Sequence, residues 1–384
     1  MPLRVLQVVG LLSADGSYGG PTVVALGQCA ALHQLGHEPT LAAGWDGAAS
    51  APESFPVMRR RAWKLSRRSF ASLVSPSLLW FVVRRARTFD VVHVHLARDL
   101  LTLPVAAMAL LLRIPLVLQT HGMIVTDPRR SVRLLDALLT RRVLKRAAVL
   151  LALTPQESDA LQQLDVPRNR ITLLGNAAPL IEGTASFKED APLVLYVSRL
   201  AERKRPVAFV EMAAEVAAER SDVRFAVWGP DGGQLSDVRD AIARHDLQGT
   251  CVYRGAAPSD RIPEILLSGQ ALVLPSFAEP YPMVVLESAA AGLPCVITTD
   301  TGLSQRLGEA GAAVVTDGSP REMAGAVLDL LGSRSAWSRT SDAARALVRA
   351  EFGAGTLAEA LVSHYVSAVR GSTDRIGENR MVGQ

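Results

Sequence analysis

"LVLYVSRLAERKRPVAFVEMAAEVAAE", residues 193–219, holds a whole strand–turn–helix unit. Leu193–Val197 is a short apolar run with no polar alternation, the pattern of a strand buried on both faces. Pro206 opens a stretch with helical spacing that lasts to Glu219. Proline suits a first helical turn, where its missing N–H would have no intrahelical partner. Between the two lie Arg199 and Lys204, five residues apart and just past the strand.

The same unit recurs in both directions. Upstream stand "LRVLQVV", the helix "PTVVALGQCAALHQLG", "EPTLAA", "DVVHVHLA", a helix from Asp99, "IPLVLQTHG", a helix over 131–146 and "AAVLLALT". Downstream stand "RFAVWGP", a helix over 234–245, "CVYRGA", a helix over 260–268, "ALVLPS", a helix over 283–291, "PCVITTD", "AAVVTD" and a helix over 320–331. Short apolar strands alternating with helices predict parallel sheets built from βαβ units. The polar, aperiodic "LIEGTASFKEDAP" separates two such series. The expected fold is therefore α/β, with two Rossmann-like domains facing across a cleft. Their spans are 1–182 and 191–355, followed by a helix over 356–370 packing back on the first domain and a frayed tail over 371–384. Open sheets bind ligands beyond the carboxyl ends of their strands, so the site is sought in residues just after strands.

The chain has 384 residues, of which 49% are hydrophobic and only 5% aromatic, enough apolar material for two cores of Ala, Val and Leu. Cys29, Cys251 and Cys295 lack metal-ligand spacing. The opening "MPLRVLQVVGLL" reads as a first strand rather than a signal peptide, and a cytoplasmic location is expected. "LLTLPVAAMALLLRIPLVLQ", residues 100–119, approaches membrane-helix length, but Pro104, Arg113 and Pro115 divide it into a buried helix and a strand. Charge is unevenly spread: residues 1–180 hold 21 Lys and Arg against 11 Asp and Glu, whereas residues 181–384 hold 20 against 26.

Three stretches at strand ends carry chemistry. "LLSADGSYGGPTVV" brings Gly16, Gly19 and Gly20 to a helix start, whose free amides attract anions. It is neither a dinucleotide fingerprint nor a P-loop. Arg199 and Lys204 suit a diphosphate, the first as a bidentate fork and the second as a point charge. In "SFAEPYPMVVLESAAAGLPCVITTD", residues 276–300, Pro280 and Pro282 forbid a helix between Glu279 and Glu287. Glu279 is thus placed on a loop, and Glu287 one turn into a helix starting near Met283, where a carboxylate can accept from a pair of sugar hydroxyls. Glu pairs eight apart also occur at Glu211/Glu219 and Glu351/Glu359, so context and not spacing singles out this one. His93 and His95 share one face of a strand with no third ligand nearby, which favours a packed or cleft-lining role over a metal site.

With these stretches in view, the chain resembles the family-4 retaining glycosyltransferases of the GT-B fold. "SRLAERK", "WGPDG", "FAEPYPMVVLESAAAGLPCVIT" and the early Gly-Gly loop carry the resemblance, in order, over about residues 1–370. It implies transfer of a sugar from a nucleotide-sugar to a glycan or lipid-linked acceptor, with retention and with neither cofactor nor metal, in cell-surface polysaccharide or glycolipid synthesis. It also implies that Arg199 and Lys204 bind the diphosphate and Glu287 the ribose. Glu279, with the loop Tyr281, Pro282, Met283 and Val284, would contact the sugar. Gly19 and Gly20 would close over the phosphate, Arg254 would sit on a loop near the base, and His121 would face the reacting sugar. Pro280 stands where the family usually has Gly, and "GNAAP" (175–179) replaces a common Asn-Gly connector. A nucleotide-sugar epimerase of similar build and a catalytically silent sugar-nucleotide-binding subunit are the alternatives.

Arg59, Arg60, Arg61, Lys64, Arg67, Arg68, Arg84, Arg85 and Arg87 occupy a segment without acidic residues, interleaved with Trp63, Phe70, Trp80 and Phe81. Such a segment suits an anionic membrane surface and predicts peripheral attachment at the inner face of the cell membrane. Nucleic acid is not expected, since no fold signature for it accompanies the charges.

Overall fold

The computed structural model describes residues 1–12, 19–47, 53–66, 70–127 and 129–381. It divides into two units, residues 1–177 with 354–384, and residues 178–353. The early turn at Gly16, and Arg67 and Arg68, lie outside the described residues.

The first unit is built on β1 (Arg4–Leu12), β2 (Glu38–Trp45), β3 (Val57–Arg61), β6 (Val91–His95), β7 (Leu116–Gln119), β8 (Val149–Ala152) and β9 (Ile171–Leu173). Between β3 and β6, β4 (Trp63–Lys64) and β5 (Leu73–Val74) form a short antiparallel ladder. The seven-stranded sheet is parallel, in the order β3-β2-β1-β6-β7-β8-β9. The crossovers contain α1 (Gly19–Gln34), α2 (Pro76–Arg85), α3 (Thr102–Leu111), α4 (Arg130–Leu135), α5 (Arg141–Arg146) and α6 (Pro155–Gln162). The chain leaves β1 for β2 on one side and later returns to β6 on the other, so β1 and β6 flank the switch point.

Several elements depart from the sequence reading. The helix expected from Asp99 begins at Thr102, because the Asp99 carboxylate accepts from the Leu101 and Thr102 amides at 2.9 and 2.5 Å and thereby caps it from outside. The helix expected over 131–146 is interrupted by a π turn at Asp136–Thr140. Strand β3, the β4–β5 ladder and α2 fall in the basic segment, where no element was expected; charge obscured their alternation.

The second unit repeats the plan with β10 (Leu193–Val197), β11 (Arg224–Trp228), β12 (Cys251–Gly255), β13 (Ala271–Leu274), β14 (Cys295–Thr298) and β15 (Val314–Thr316). They form a parallel sheet in the order β12-β11-β10-β13-β14-β15. Its helices are α7 (Pro206–Glu219), α8 (Leu235–Arg244), α9 (Ile262–Ser268), α10 (Met283–Ala291), α11 (Ser304–Glu309), α12 (Pro320–Gly332) and α13 (Arg334–Glu351). Here the switch point lies between β10 and β13. Tyr196, Phe209 and Phe225 are buried together in this unit's core, with ring centroids 5.5 and 6.2 Å apart.

The chain then returns to the first unit as α14 (Ala354–Met381), continuing past Gly371, where fraying was expected. Leu361, Tyr365 and Ala368 are buried against Val5, Val91, Val117 and Val149 of the first sheet. At roughly 25 cal/mol per Å² of apolar area, a buried leucine alone contributes about 1.5–3 kcal/mol to that docking. No helix of the described residues is long and apolar enough to cross a membrane.

Candidate functional site

In the second unit, the turn after β10 meets the loop after β13 at the switch point. Lys204 closes a 3₁₀ turn (Glu202–Lys204), and its ammonium is ion-paired with the Glu279 carboxylate. Arg203 lies 3.9 Å from the same carboxylate and donates to the Ala278 carbonyl at 3.2 Å. Burial lowers the Lys204 pKa, and Glu279 offsets part of that shift by favouring the charged form. Arg205, the next residue, sits at φ 48°, an uncommon left-handed position for a side chain, and hands the chain to Pro206.

Two features that sequence reasoning missed shape this turn. The Tyr196 hydroxyl, on the buried strand β10, is 3.1 Å from the Arg199 carbonyl and 3.4 Å from that of Lys204, holding both ends of the turn. Gly229 of "WGPDG" has φ 150°, and a Cβ there would come within 1.8 Å of the Ser198 carbonyl oxygen. Gly232 likewise abuts the Arg199 side chain. The motif is thus a support on which the cationic turn rests. Arg199 itself is exposed, with no side-chain hydrogen bond or ion pair among the described residues.

Glu279 is buried, and its loop is bound to the turn after β14: the Glu279 amide donates to Asp300 O at 3.2 Å and Gly302 N to Glu279 O at 2.8 Å. Tyr281 and Pro282 are buried beside it, and no side chain caps α10 behind Pro282. Met283 and Val284 are its first, half-buried residues. Glu287, one turn along, is half-buried without a hydrogen bond or ion pair among the described residues, and burial raises its pKa. The Ser276 hydroxyl is buried there without a hydrogen-bond partner among the described residues. Arg254 departs from expectation: it lies on strand β12 rather than on a loop, where it lines a 280 Å³ groove with Trp228, Val252 and Ile265. Strand pairing continues past Arg254 to Gly255, which is opposite Trp228.

In the first unit, Gly19 and Gly20 are the first residues of α1. A Cβ at Gly20 would meet no atom of the described residues within 4 Å. His121 follows β7 at φ 51°, half-buried. Its turn is clamped by the buried Glu157, whose Oε1 accepts from Thr120 Oγ1 and Gly122 N, both at 2.5 Å, while Oε2 accepts from Leu153 N at 2.7 Å. "TPQE" at 154–157 reads as a capping box, but the glutamate reaches past its own helix to the histidine turn. His93 and His95 are packed, not cleft-lining: both are fully buried and stacked 4.6 Å apart. His95 Nδ1 is 2.8 Å from His121 Nε2. Burial depresses all three imidazoles, His93 and His121 to about 3. No group of three His, Cys, Asp or Glu fit to hold a metal occurs among the described residues.

Residues 181–347 match the family Glycosyl transferases group 1, and residues 19–177 match the Glycosyl transferase 4-like domain. The chain is built from two glycosyltransferase domains. This glycosyltransferase is 27% identical to a 2-deoxystreptamine glucosyltransferase of Streptomyces kanamyceticus, over 74% of its own length and 79% of the relative's. It is 26% identical to a glycogen synthase of Mycobacterium tuberculosis over 94% and 90%. Its backbone resembles that of Anabaena Alr3699/HepE, solved in complex with UDP, with a TM-score of 0.74 at 18% identity, covering 95% and 100% of the two chains. The GT-B fold class, with two Rossmann-like domains, follows from this likeness.

Proposed function

We propose that this glycosyltransferase takes a nucleoside-diphosphate sugar at the carboxyl edge of the second sheet and transfers the sugar with retained anomeric configuration. The acceptor is a glycan or lipid-linked saccharide of the cell envelope. One observation carries the reading: a cationic turn and a carboxylate loop meet at the β10/β13 switch point, beside a helix start and the partnerless Glu287. Glu287 would accept from the ribose diol, and its raised pKa marks a carboxyl group short of hydrogen-bond donors. Arg199 and Lys204 would bind the diphosphate, with the amides of α10 adding the positive end of a helix dipole.

As the anomeric bond breaks, charge grows on the departing diphosphate, and these groups are already in place to stabilise it. The acceptor hydroxyl arrives on the same face and passes its proton to a leaving phosphate oxygen. Glu279, tied to Lys204, would orient the sugar with Tyr281 and Pro282, and His121 would face the sugar. With two cations and a helix dipole for the diphosphate, the reaction needs no divalent ion. The complexes of the Anabaena protein with UDP and UDP-glucose support a nucleotide-sugar donor.

The test is a panel of nucleotide-sugars assayed for donor cleavage with and without saccharide acceptors, in EDTA. The expected result is turnover of one donor class and a product whose anomeric coupling matches the donor's. Inversion of configuration, or activity lost in EDTA and restored by manganese, overturns the mechanism. Isomerised donor without acceptor would make the protein an epimerase, and tight binding without turnover would make it a silent subunit.

A further inference from the structure

Five polar side chains of the first unit, His93, Tyr365, Gln7, His95 and His121, form one hydrogen-bonded chain ending at His121. Tyr365 of α14 has its hydroxyl 2.8 Å from His93 Nδ1 and receives a hydrogen bond from Gln7 Nε2 at 3.1 Å. Gln7 Oε1 is 3.1 Å from His95 Nε2, and His95 Nδ1 is 2.8 Å from His121 Nε2. Gln7, His93, His95 and Tyr365 are all buried, beside a core of Val, Leu and Ala side chains. A side branch runs from Gln7 Nε2 to Gln28 at 3.2 Å and on to Gln119 at 3.0 Å. Burying such groups costs stability where they go unpaired, as His93 Nε2 does among the described residues, so the pairing of the others makes each orientation constrain the next.

The proton order along the chain follows from the chemistry of each group. Gln7 donates from its amide nitrogen to Tyr365 and Gln28, leaving its oxygen toward His95. An amide oxygen only accepts, so His95 must carry its proton on Nε2. A neutral imidazole has one N–H, and burial keeps His95 neutral, so His95 Nδ1 is an acceptor. His121 therefore donates from Nε2, and its Nδ1, which has no hydrogen-bond partner among the described residues, presents a lone pair.

We propose that Tyr365, Gln7 and His95 are positioning residues that lock His121 in its Nε2–H tautomer, so that its free Nδ1 accepts a hydrogen bond from a hydroxyl group of the bound sugar. The first clause stands on the hydrogen-bond geometry and the burial of His95; the second rests on the reading of His121 given above. It also assigns a role to the return of α14 to the first unit: the helix delivers the hydroxyl that orients Gln7.

The experiment is a long-range ¹H–¹⁵N correlation spectrum of the full chain, with its seven histidines ¹⁵N-labelled and assigned by single His→Gln variants. At pH 7.5, His121 should show the pattern of a single tautomer protonated at Nε2. In Tyr365→Phe and in Gln7→Met, folded by circular dichroism, that pattern should give way to averaged tautomers. Donor turnover in Tyr365→Phe should fall about three- to tenfold with the donor KM within about twofold, the scale of one mispositioned hydrogen bond. The opposite tautomer in the parent chain, or an unchanged His121 spectrum in both folded variants, overturns the lock. Normal turnover in His121→Ala, with the tautomer lock intact, would instead sink only the role of His121 toward the sugar.

Discussion

At the scale of single residues, the two glutamates of 276–300 have opposite surroundings. Glu279 is buried and held by Lys204, whereas Glu287 is half-buried and has no partner among the described residues. Their substitutions should therefore part company. Glu287→Gln and Arg199→Ala should keep the parent melting temperature while donor use falls roughly tenfold to a hundredfold, the loss of one charge-assisted hydrogen bond of ~1.5–3 kcal/mol. Lys204→Ala should both abolish donor use and destabilise the fold, since removing one partner of a buried pair costs ~3–5 kcal/mol. Sequence reasoning, which saw both cations only as strand-end residues, expects no such cost for Lys204. Replacing the pair together, as Lys204→Met with Glu279→Leu, should restore stability without activity. Thermal melts beside donor kinetics check this; equal melting temperatures for Lys204→Ala and Arg199→Ala would contradict it. The strand-end cations and the two glutamates were legible here as candidates for a diphosphate and a ribose. The Tyr196 and Glu157 supports were not, because a tyrosine in an apolar strand and a glutamate in a helix start look like core and cap.

At the scale of elements, β6 is the exceptional strand. "VVHVH" is buried at every position, so two imidazoles enter the core as neutral groups. The unfolded chain takes up a proton at each near the ordinary imidazole pKa of ~6.5, while the folded chain refuses it until far lower, about 3 for His93. The unfolded state thus binds more protons below pH ~6.5, and stability falls as pH drops, by up to ~1.4 kcal/mol per unit for each histidine. Urea midpoints at pH 7.5, 6.5 and 5.5 should decline over a range where carboxylates hardly titrate, and the decline should be shallower in His93→Gln. A midpoint that stays level from 7.5 to 5.5 would refute neutral burial. Strand existence was readable from apolar runs. What the periodicity could not show was that Gln7 and His95 pair across neighbouring strands while His93 turns to Tyr365 of α14, since these partners are far apart in sequence.

At the scale of the whole molecule, the positive charge gathers in residues 1–180. The described basic residues of 59–87 fall on β3, β4, α2 and the 3₁₀ turn that follows α2. Arg59–Arg61 lie on the edge strand β3, Arg60 stacks over the Phe81 ring at 5.3 Å, and Phe81 itself is buried, so it is no interfacial anchor. Trp63, Leu65 and Trp80 remain, at 48%, 66% and 59% exposure, with Arg84 over the Trp80 ring at 4.9 Å. We propose that this aromatic and basic surface attaches the first unit to an anionic leaflet, where each basic residue adds ~1 kcal/mol. The protein should sediment with anionic vesicles, release in high salt, and bind less in Trp63→Ala/Trp80→Ala. Equal binding to neutral vesicles, or none, would favour an acceptor in solution. By itself the sequence determined the α/β class, the two-unit division and the chemical character of the strand-end residues, because apolar period and turn chemistry are local properties. Only the tertiary structure decided which of those residues are partnered. Pairings such as Lys204 with Glu279 or Tyr365 with Gln7 depend on strand order, and strand order is set by how crossovers pack, not by any neighbouring residue.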